Sequence, residues 1–270
     1  MVTFLFWNLQ KKSLQHRVAR IVKHYQVDIL ILAESEIMPS AMTKLLAHET
    51  SRRFSFPFAN CDRIQIYTSF RKDFLSVVSE GERYTIRRLK LPGLDDILLV
   101  SAHFLSKLHW SKESQAFECI KFAEEIRMTE QKVKHSRTIL VGDLNMNPFE
   151  DGVVSALGLH SVMTRKIAAK EKRIVQKSEY PYFYNPMWGL WGDGTDGPAG
   201  TYYESRAEHV CHFWNMFDQV LVRPSLFSAF SNKDLKILMH DGTDPLINKH
   251  ELPDEKHASD HFPILFKLNL

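Results

Sequence analysis

Residues 138–141 are the segment that most constrains how this chain can fold. The run is short, apolar and rich in β-branched residues, and a glycine bounds it, which predicts a fully buried strand. Asp143 and Asn145 follow at once, and they point to the same side because strand side chains alternate. Pro148 then interrupts the extended chain, and a helix is predicted to begin within residues 149–157. Alone, this pair is typical both of turn residues and of a ligand site at a strand end.

Other predicted strands also carry polar side chains at or near their ends. Apolar runs at 3–7 and 28–33 flank a segment with helical spacing at 14–25, which is the βαβ pattern of a parallel pair. Further strands are predicted over 96–104, 213–222 and 261–268. The polar residues in question are Asn8, Glu34, His103, Asp143, Asn145, Asp218, Asp260 and His261.

This set of side chains suits the hydrolysis of a phosphate ester. Carboxylates are ligands of hard divalent cations, and Glu34 and Asp260 could supply them with Asn8 close by. Water that attacks phosphorus needs a base or an orienting group and neutralisation of the phosphoryl charge, and the set offers both. Each residue taken singly also has a plain structural explanation, as a turn residue or as the first exposed residue of a loop.

The rest of the pattern predicts an α/β chain with one irregular region. Helices are predicted over 39–48 and 111–129, and a β-meander over 53–91. Residues 165–208 break this pattern and are predicted to form a long loop. Since the sequence contains neither an internal repeat nor a clear linker, we expect residues 1–270 to form a single domain with a basic and aromatic-rich insertion at about 165–208.

The predicted loop joins a basic cluster to a span rich in aromatic residues. Its aromatic content argues against disorder, and rings beside cations suit stacking on exposed bases or wedging a duplex. The alternative is that several of these rings only cover the core. On the first interpretation, the residues predicted to bind substrate are Arg173, Lys177, Trp188, Trp191 and Tyr202.

Composition and charge restrict the class of protein only weakly. The 270 residues are 44% hydrophobic and 25% charged, which is ordinary for a globular protein with a sizeable core. The net charge of +3 is a weak bias, so the local basic clusters are more informative. No apolar run approaches a membrane-spanning length and no charged segment precedes the first strand, so we expect neither an anchor nor a signal peptide. Three scattered cysteines fit a reducing compartment, and we expect a cytoplasmic location.

His209, Cys211 and His212 invite a zinc interpretation. Their spacing lacks the paired ligands of a structural zinc site, and they lie where a strand is predicted to begin. The sequence therefore disfavours zinc at this position.

Six short motifs, in order and across nearly the whole chain, resemble those of the endonuclease/exonuclease/phosphatase superfamily, which contains DNase I-like and exonuclease III-like enzymes. The pair formed by the Gly-Asp-x-Asn and Ser-Asp-His motifs at this separation is the specific part of the resemblance. The motifs are Trp7-Asn8, Glu34, Ser101-Ala102-His103-Phe104, Gly142-Asp143-Leu144-Asn145, Phe217-Asp218-Gln219-Val220 and Ser259-Asp260-His261-Phe262-Pro263.

The resemblance implies a fold and a cofactor. The fold would be a four-layer α/β sandwich, with two mixed β-sheets packed face to face and helices outside. The cofactor would be Mg²⁺ or Mn²⁺. Glu34 would ligate the metal, with Asn8 and Asp260 near it.

The resemblance also implies the roles of the remaining motif residues in phosphoester hydrolysis. Asp143 would orient or deprotonate the attacking water, and Asn145 would stabilise the transition state. His261, polarised by Asp218, would contact the scissile phosphate, and His103 would hold a phosphate oxygen.

The substrate is less constrained than the chemistry. The inositol polyphosphate 5-phosphatases carry a Trp-Cys-Asp-Arg signature where this chain has residues 214–217, Trp-Asn-Met-Phe, which argues against that branch. His103, in place of the tyrosine of apurinic endonucleases, favours the deadenylases, sphingomyelinases and tyrosyl-DNA phosphodiesterases. With the basic cluster, this predicts a nuclease acting on DNA or RNA. The alternatives are a hydrolase of a small phosphorylated molecule or lipid head group, and a catalytically silent nucleic-acid-binding module.

Overall fold

A computed structural model describes residues 1–107 and 110–270, and it contains two large mixed β-sheets. Along the chain the strands are β1 (Val2–Asn8), β2 (Ile29–Ala33), β3 (Ile64–Thr68), β4 (Leu75–Glu80), β5 (Tyr84–Leu89), β6 (Ile97–His103), β7 (Thr138–Asp143), β8 (Ser161–Val162), β9 (Lys172–Val175), β10 (Ser178–Pro181), β11 (Phe183–Tyr184), β12 (Tyr202–Tyr203), β13 (Trp214–Asn215), β14 (Asp218–Val222), β15 (Lys236–Ile237) and β16 (Ile264–Leu268). The helices are α1 (Gln15–Tyr25), α2 (Pro39–Thr50), α3 (Lys112–Val133), α4 (Asp151–Val154) and α5 (Arg165–Ala168).

The two sheets differ in size and in the origin of their strands. One has five strands in the order β15-β16-β1-β2-β3, and the other has seven in the order β4-β5-β6-β7-β14-β11-β8. The pair β1 and β2 is parallel, with α1 as the crossover, as the sequence predicts. In the larger sheet β6 and β7 are parallel, and β14 pairs antiparallel with β7.

Alternating side chains on the central strands produce four layers. On β1, Phe4 and Phe6 pack between the sheets in one cluster with Val141 of β7, whereas Trp7 lies in the cluster that packs under α1 and α2. On β7, Leu140 points outward into a cluster that includes residues of α3. Each of these side chains is fully buried, and burial of an aliphatic or aromatic side chain contributes about 1.5–3 kcal/mol. The predicted four-layer sandwich is therefore confirmed.

Helix α3 fixes two loops that carry site residues. The helix begins after Ser111, whose hydroxyl caps it by accepting a hydrogen bond from the Ser114 amide. Its fully buried Gln115 donates from one amide nitrogen to the carbonyl oxygens of Leu105, at 2.6 Å, and of Asn145, at 3.2 Å. This amide thereby ties the segment after β6 to the segment after β7.

Two sequence predictions are wrong in detail. Residues 53–91 are not one meander, because β3 pairs with β2 in the five-stranded sheet while β4 and β5 belong to the other sheet. An alternating strand satisfies either sheet equally, so its local pattern does not select the partner. The helix predicted to begin within 149–157 is limited to Asp151–Val154, and the backbone is extended again at Ser155.

Residues 165–208 contain more regular structure than the predicted loop. They include α5, the β9–β10 hairpin, β11, a 3₁₀ helix over Pro186–Leu190, and β12. Strand β11 pairs with β14 and so belongs to the larger sheet. Its residues Phe183 and Tyr184 and the preceding Tyr182 are buried, so these rings contribute to the core rather than to a surface. The single strand predicted over 213–222 is instead two strands in different sheets, β13 and β14.

Among the helices of the described residues, none has the length and apolarity that a membrane crossing requires. Cys61, Cys119 and Cys211 are all free thiols.

Candidate active site

Strand register brings three of the motif residues side by side. In the larger sheet His103, at the end of β6, lies beside Asp143, at the end of β7, and Asp143 lies opposite Asp218, at the start of β14. The neighbouring Gly142 permits this close approach, because a Cβ at that position would lie 2.0 Å from the carbonyl oxygen of Ala102. The pairing of β6, β7 and β14 thus places an imidazole and two carboxylates at one end of the sheet.

Asn8 links the smaller sheet to Asp143. It ends β1, is buried, and donates from its side-chain amide to Asp143 Oδ2 at 2.9 Å and to Glu34 Oε1 at 3.4 Å. The side-chain oxygen Oδ1 of Asn8 accepts a hydrogen bond from the backbone N–H of Gln10 at 3.0 Å. The second oxygen of Asp143 accepts the backbone N–H of Asn145 at 2.8 Å. Asp143 is therefore held through both of its oxygens.

Glu34 is positioned by an unusual backbone conformation. It follows β2 with φ of 46°, a left-handed value that costs a non-glycine residue about 1–3 kcal/mol and is common at functional sites. Its Oε1 lies 3.3 Å from His103 Nε2, and its side chain keeps 29% of its surface exposed. The hydrogen bond from His103 is the main cause that lowers the pKa of Glu34 to about 2, so this carboxylate is ionised at neutral pH.

Asn145 also adopts a left-handed conformation, with φ of 48°. Its side-chain amide donates to the carbonyl oxygen of Phe104 at 3.1 Å. Since a primary amide has two N–H donors, the second remains for another acceptor. The loop after β7 is therefore tied to the segment after β6.

Asp218 and His261 form a buried pair. His261 Nδ1 lies 2.7 Å from Asp218 Oδ2, and both residues are buried. Burial lowers the pKa of His261, but the negative charges of Asp218 and Asp143 outweigh it and raise the pKa to about 10. The ring is thus an imidazolium at neutral pH, with Nε2 4.0 Å from both Asp143 Oδ2 and Asp260 Oδ1.

Asp260 approaches from the segment before β16. Its Oδ2 accepts a hydrogen bond from Gln10 Nε2 at 2.9 Å, and 21% of its side chain is exposed. Burial is the main cause that raises the pKa of this carboxyl, with the negative charge of Glu255 adding to it.

Glu34, Asp143, Asn145, Asp260 and His261 line one cavity of about 270 Å³. Asn8, His103 and Asp218 do not line it but contact residues that do. Sequence reasoning did not select two of the cations at its wall, Lys107 and Arg206. Lys107 forms an ion pair with Glu150 and lies 5.0 Å above the ring of Phe217, and Arg206 Nε lies 2.8 Å from Glu204 Oε2. No motif marks either cation in the sequence. The lining residues are Gln10, Glu34, Ser106, Lys107, Asp143, Asn145, Tyr202, Glu204, Arg206, Phe217, Asp260 and His261.

Of the five residues predicted to bind substrate, only Tyr202 lines this cavity. Its ring stacks on Phe217 with centroids 5.3 Å apart and tilts against His261 at 4.8 Å. Trp191 stacks instead on Phe149 at 5.4 Å, and Trp188 packs against Trp191 at 5.8 Å. The remaining two, Arg173 and Lys177, lie on and beside strand β9, away from the cavity wall. These four residues therefore do not line the cavity, and their predicted role in substrate binding stays a prediction.

The donor set fits a hard divalent cation. Glu34 and Asp260 are partly exposed carboxylates on the wall of one cavity, and oxygen donors are what Mg²⁺ and Mn²⁺ prefer. Asp143, Asp218 and His261 also offer atoms within 4.8 Å of one another. We interpret these three differently, because His261 Nδ1 and Asp218 Oδ2 pair with each other at 2.7 Å. In the described residues this is the one such group of three, and it does not include His209, Cys211 or His212.

Comparisons with known proteins bear on the fold. Neither protein-family models nor curated protein sequences match the chain. Solved structures do match. An endonuclease/exonuclease/phosphatase family protein from Leptotrichia buccalis C-1013-b matches with a TM-score of 0.58 and 14% identity over 100% of both chains. The human Nocturnin catalytic domain with bound sulfate anion gives a TM-score of 0.58 and 15% identity over 99% of this chain and 94% of that one.

D. rerio TDP2 complexed with single strand DNA product is also similar, with a TM-score of 0.55 and 15% identity over 100% of this chain and 99% of that one. The chain therefore shares the fold of these three proteins, and this is the fold that the motif resemblance implies. The roles of individual residues stay predictions.

Proposed function

We propose that this protein is a metal-dependent phosphodiester hydrolase that cleaves nucleic acid. One observation carries the proposal: residues from both sheets, Glu34 from one and Asp143 and Asn145 from the other, converge on a single cavity with His261. Packing alone does not require the carboxylates of Glu34, Asp143 and Asp260 and an imidazolium at one cavity, because buried charges cost free energy unless they are paired or used.

Different residues of the chain would assist different parts of an in-line attack by water on phosphorus. Asp143, which Asn8 and the Asn145 amide hold through hydrogen bonds, would orient the water and accept its proton. The oxygen of the water then bonds to phosphorus as the opposite ester bond breaks. The imidazolium of His261 and the free N–H of Asn145 donate to the phosphoryl oxygens, where negative charge accumulates.

Glu34 and Asp260 would hold a Mg²⁺ or Mn²⁺ ion, with Asn8 beside them. When bound, the ion supplies positive charge next to the phosphate. His103 would serve both Glu34, which it contacts at 3.3 Å, and a phosphate oxygen. Lys107 and Arg206, at the same wall, add two cations that suit the phosphates of a polymer.

The second candidate, hydrolysis of a small phosphorylated molecule, has less support. It predicts an aromatic lid over the cavity, but Trp188 and Trp191 are absent from the cavity wall. A cavity of about 270 Å³ is also at the lower end for a closed small-molecule pocket.

The test is an activity panel with Mg²⁺ and Mn²⁺ on single-stranded DNA, duplex DNA, RNA and a small phosphodiester. Asp143→Ala is the inactive variant, and Asp151→Ala, an exposed carboxylate of the following helix, is the matched control. We expect turnover of a nucleic acid that is lost in Asp143→Ala and kept in Asp151→Ala. Turnover of the small ester alone would favour the second candidate, and binding without any turnover would favour a silent module.

A further inference from the structure

Residues 165–181, which we call the basic arm, hold a concentration of positive charge. The arm comprises α5, β9 and β10. It contains six Lys and Arg residues against two Glu residues, an excess of four, while the whole chain has a net charge of only +3. The remainder of the chain is thus slightly negative, and the arm is the dominant positive feature.

Most of the cations on the arm are free to meet a ligand. Lys166, Lys170, Arg173 and Lys177 are exposed, and across the described residues none of them forms an ion pair. Only Lys172 is paired within the arm, with Glu179 at 2.5 Å. Unpaired surface cations in one cluster attract polyanions, because binding releases the counterions of the polyanion.

The two strands of the basic arm form a ribbon. Within the described residues, strands β9 and β10 pair only with each other, in antiparallel register, and form a two-stranded sheet separate from the two large ones. Gln176 and Lys177 at its turn have φ of 48° and 69°, which is typical of a type I′ hairpin and of strong right-handed twist. A twisted two-stranded ribbon has the dimensions that the major groove of B-form DNA admits.

The arm lies far from the catalytic cavity. Its last residue, Pro181, accepts a hydrogen bond at 3.0 Å from Arg223, whose backbone N–H bonds at 3.0 Å to the carbonyl oxygen of Thr138. Thr138 begins β7 and Asp143 ends it, so five strand steps of about 3.3 Å separate the strand end that Arg223 links to the arm from the catalytic carboxylate by roughly 17 Å. That distance corresponds to about five base pairs of duplex.

We infer that the basic arm is a second nucleic-acid site, which enters the major groove of a DNA duplex and contacts its phosphates away from the cavity. The choice of a nucleic acid as the polyanion rests on the proposed function. An anionic membrane fits less well, because the outer part of the hairpin, residues 172–179, contains no aromatic side chain and exposes a single large aliphatic one, Ile174. A-form RNA has a major groove too narrow for such a ribbon.

The experiment compares Arg173→Gln/Lys177→Gln with Lys44→Gln/Lys233→Gln, a control that removes two exposed cations elsewhere. Fluorescence anisotropy measures binding of each protein to a DNA duplex of about 24 base pairs in EDTA, so that metal-dependent turnover does not interfere. Thermal unfolding of both variants checks that the fold is intact. The same measurement on an RNA duplex of equal sequence and on anionic vesicles tests the choice of ligand.

If the arm contacts two phosphates through these side chains, the arm variant reduces by about two the magnitude of the negative slope of the log of the binding constant against log salt. The advantage of wild type over the arm variant then shrinks about tenfold between 50 and 200 mM salt. Binding of the arm variant equal to that of the control overturns the inference, as does a loss seen on vesicles or duplex RNA and not on duplex DNA. Hydrolysis in the activity panel is measured separately, so either result leaves the proposed function to its own test.

Discussion

Replacement of Asp218 by asparagine separates catalysis from folding. Asp218 is fully buried, and its Oδ2 is 2.7 Å from His261 Nδ1, so the asparagine keeps the size and an acceptor oxygen but removes the charge. A hydrogen bond to a charged group contributes about 1.5–3 kcal/mol. If this stabilisation of the imidazolium is used in the transition state, kcat falls about 10- to 150-fold, since 1.36 kcal/mol corresponds to a factor of ten.

The same substitution is expected to leave stability nearly unchanged. Burial raises the pKa of Asp218 to about 6, above its usual value of 3.8. A carboxyl with a raised pKa in the folded state costs stability above its unfolded pKa, whereas His261, whose pKa is raised to about 10, contributes stability at neutral pH, so the two effects of the pair oppose each other. We expect the melting temperature of Asp218→Asn to stay within about 3 °C of wild type.

Asp241→Asn is the matched control. Its side chain is also fully buried, and its Oδ2 lies 3.0 Å from Arg17 Nη1 and 2.5 Å from Arg20 Nη2, but it does not line the catalytic cavity. We expect the opposite outcome, a loss of about 1.5–3 kcal/mol in the free energy of unfolding with kcat retained.

The assay is initial rates on the best substrate of the panel, with thermal and urea unfolding of the same preparations. A kcat of Asp218→Asn within about twofold of wild type would refute the argument, because it would mean that the Asp218–His261 pair does not act in the transition state. Equal loss of activity in both variants would show that the activity reports only on folding.

Three further outcomes follow from the site and the fold. Glu34→Gln is expected to raise at least tenfold the Mg²⁺ or Mn²⁺ concentration that gives half-maximal activity; an unchanged metal titration would contradict its role as a ligand. Lys107→Gln is expected to raise KM for a polynucleotide about 10- to 150-fold and to raise KM for a small phosphodiester less, and equal increases would count against a polymer contact. Gly142→Ala places a Cβ 2.0 Å from a backbone oxygen, so we expect it to lower the free energy of unfolding by about 3 kcal/mol or more. Calorimetry would record this as a melting temperature lower by roughly 6–12 °C. Gly189→Ala, with open space at its Cβ, is the control, and an equal melting temperature for the two variants would contradict the close approach at Gly142.

The sequence by itself determined the central strands and the polar residues that end them. The run of β7, the βαβ unit of β1 and β2, and the strand that delivers His103 are all where the local pattern predicts them. This succeeds because a strand buried on both faces must be apolar along its length, so a polar residue marks its end whatever its partner strand is. The motifs lie at those ends, and therefore about half of the residues that line the cavity could also be predicted.

The tertiary structure alone decided which of the remaining residues meet. Pairing between strands is non-local, so the sequence did not show that β3 leaves the predicted meander to join β2. It also gave no sign that Lys107 and Arg206 reach the cavity while Arg173 and Lys177 lie on a hairpin elsewhere. A surface cation has the same local sequence signature wherever it lies, because its position depends on the strands that carry it and not on its neighbours in the chain.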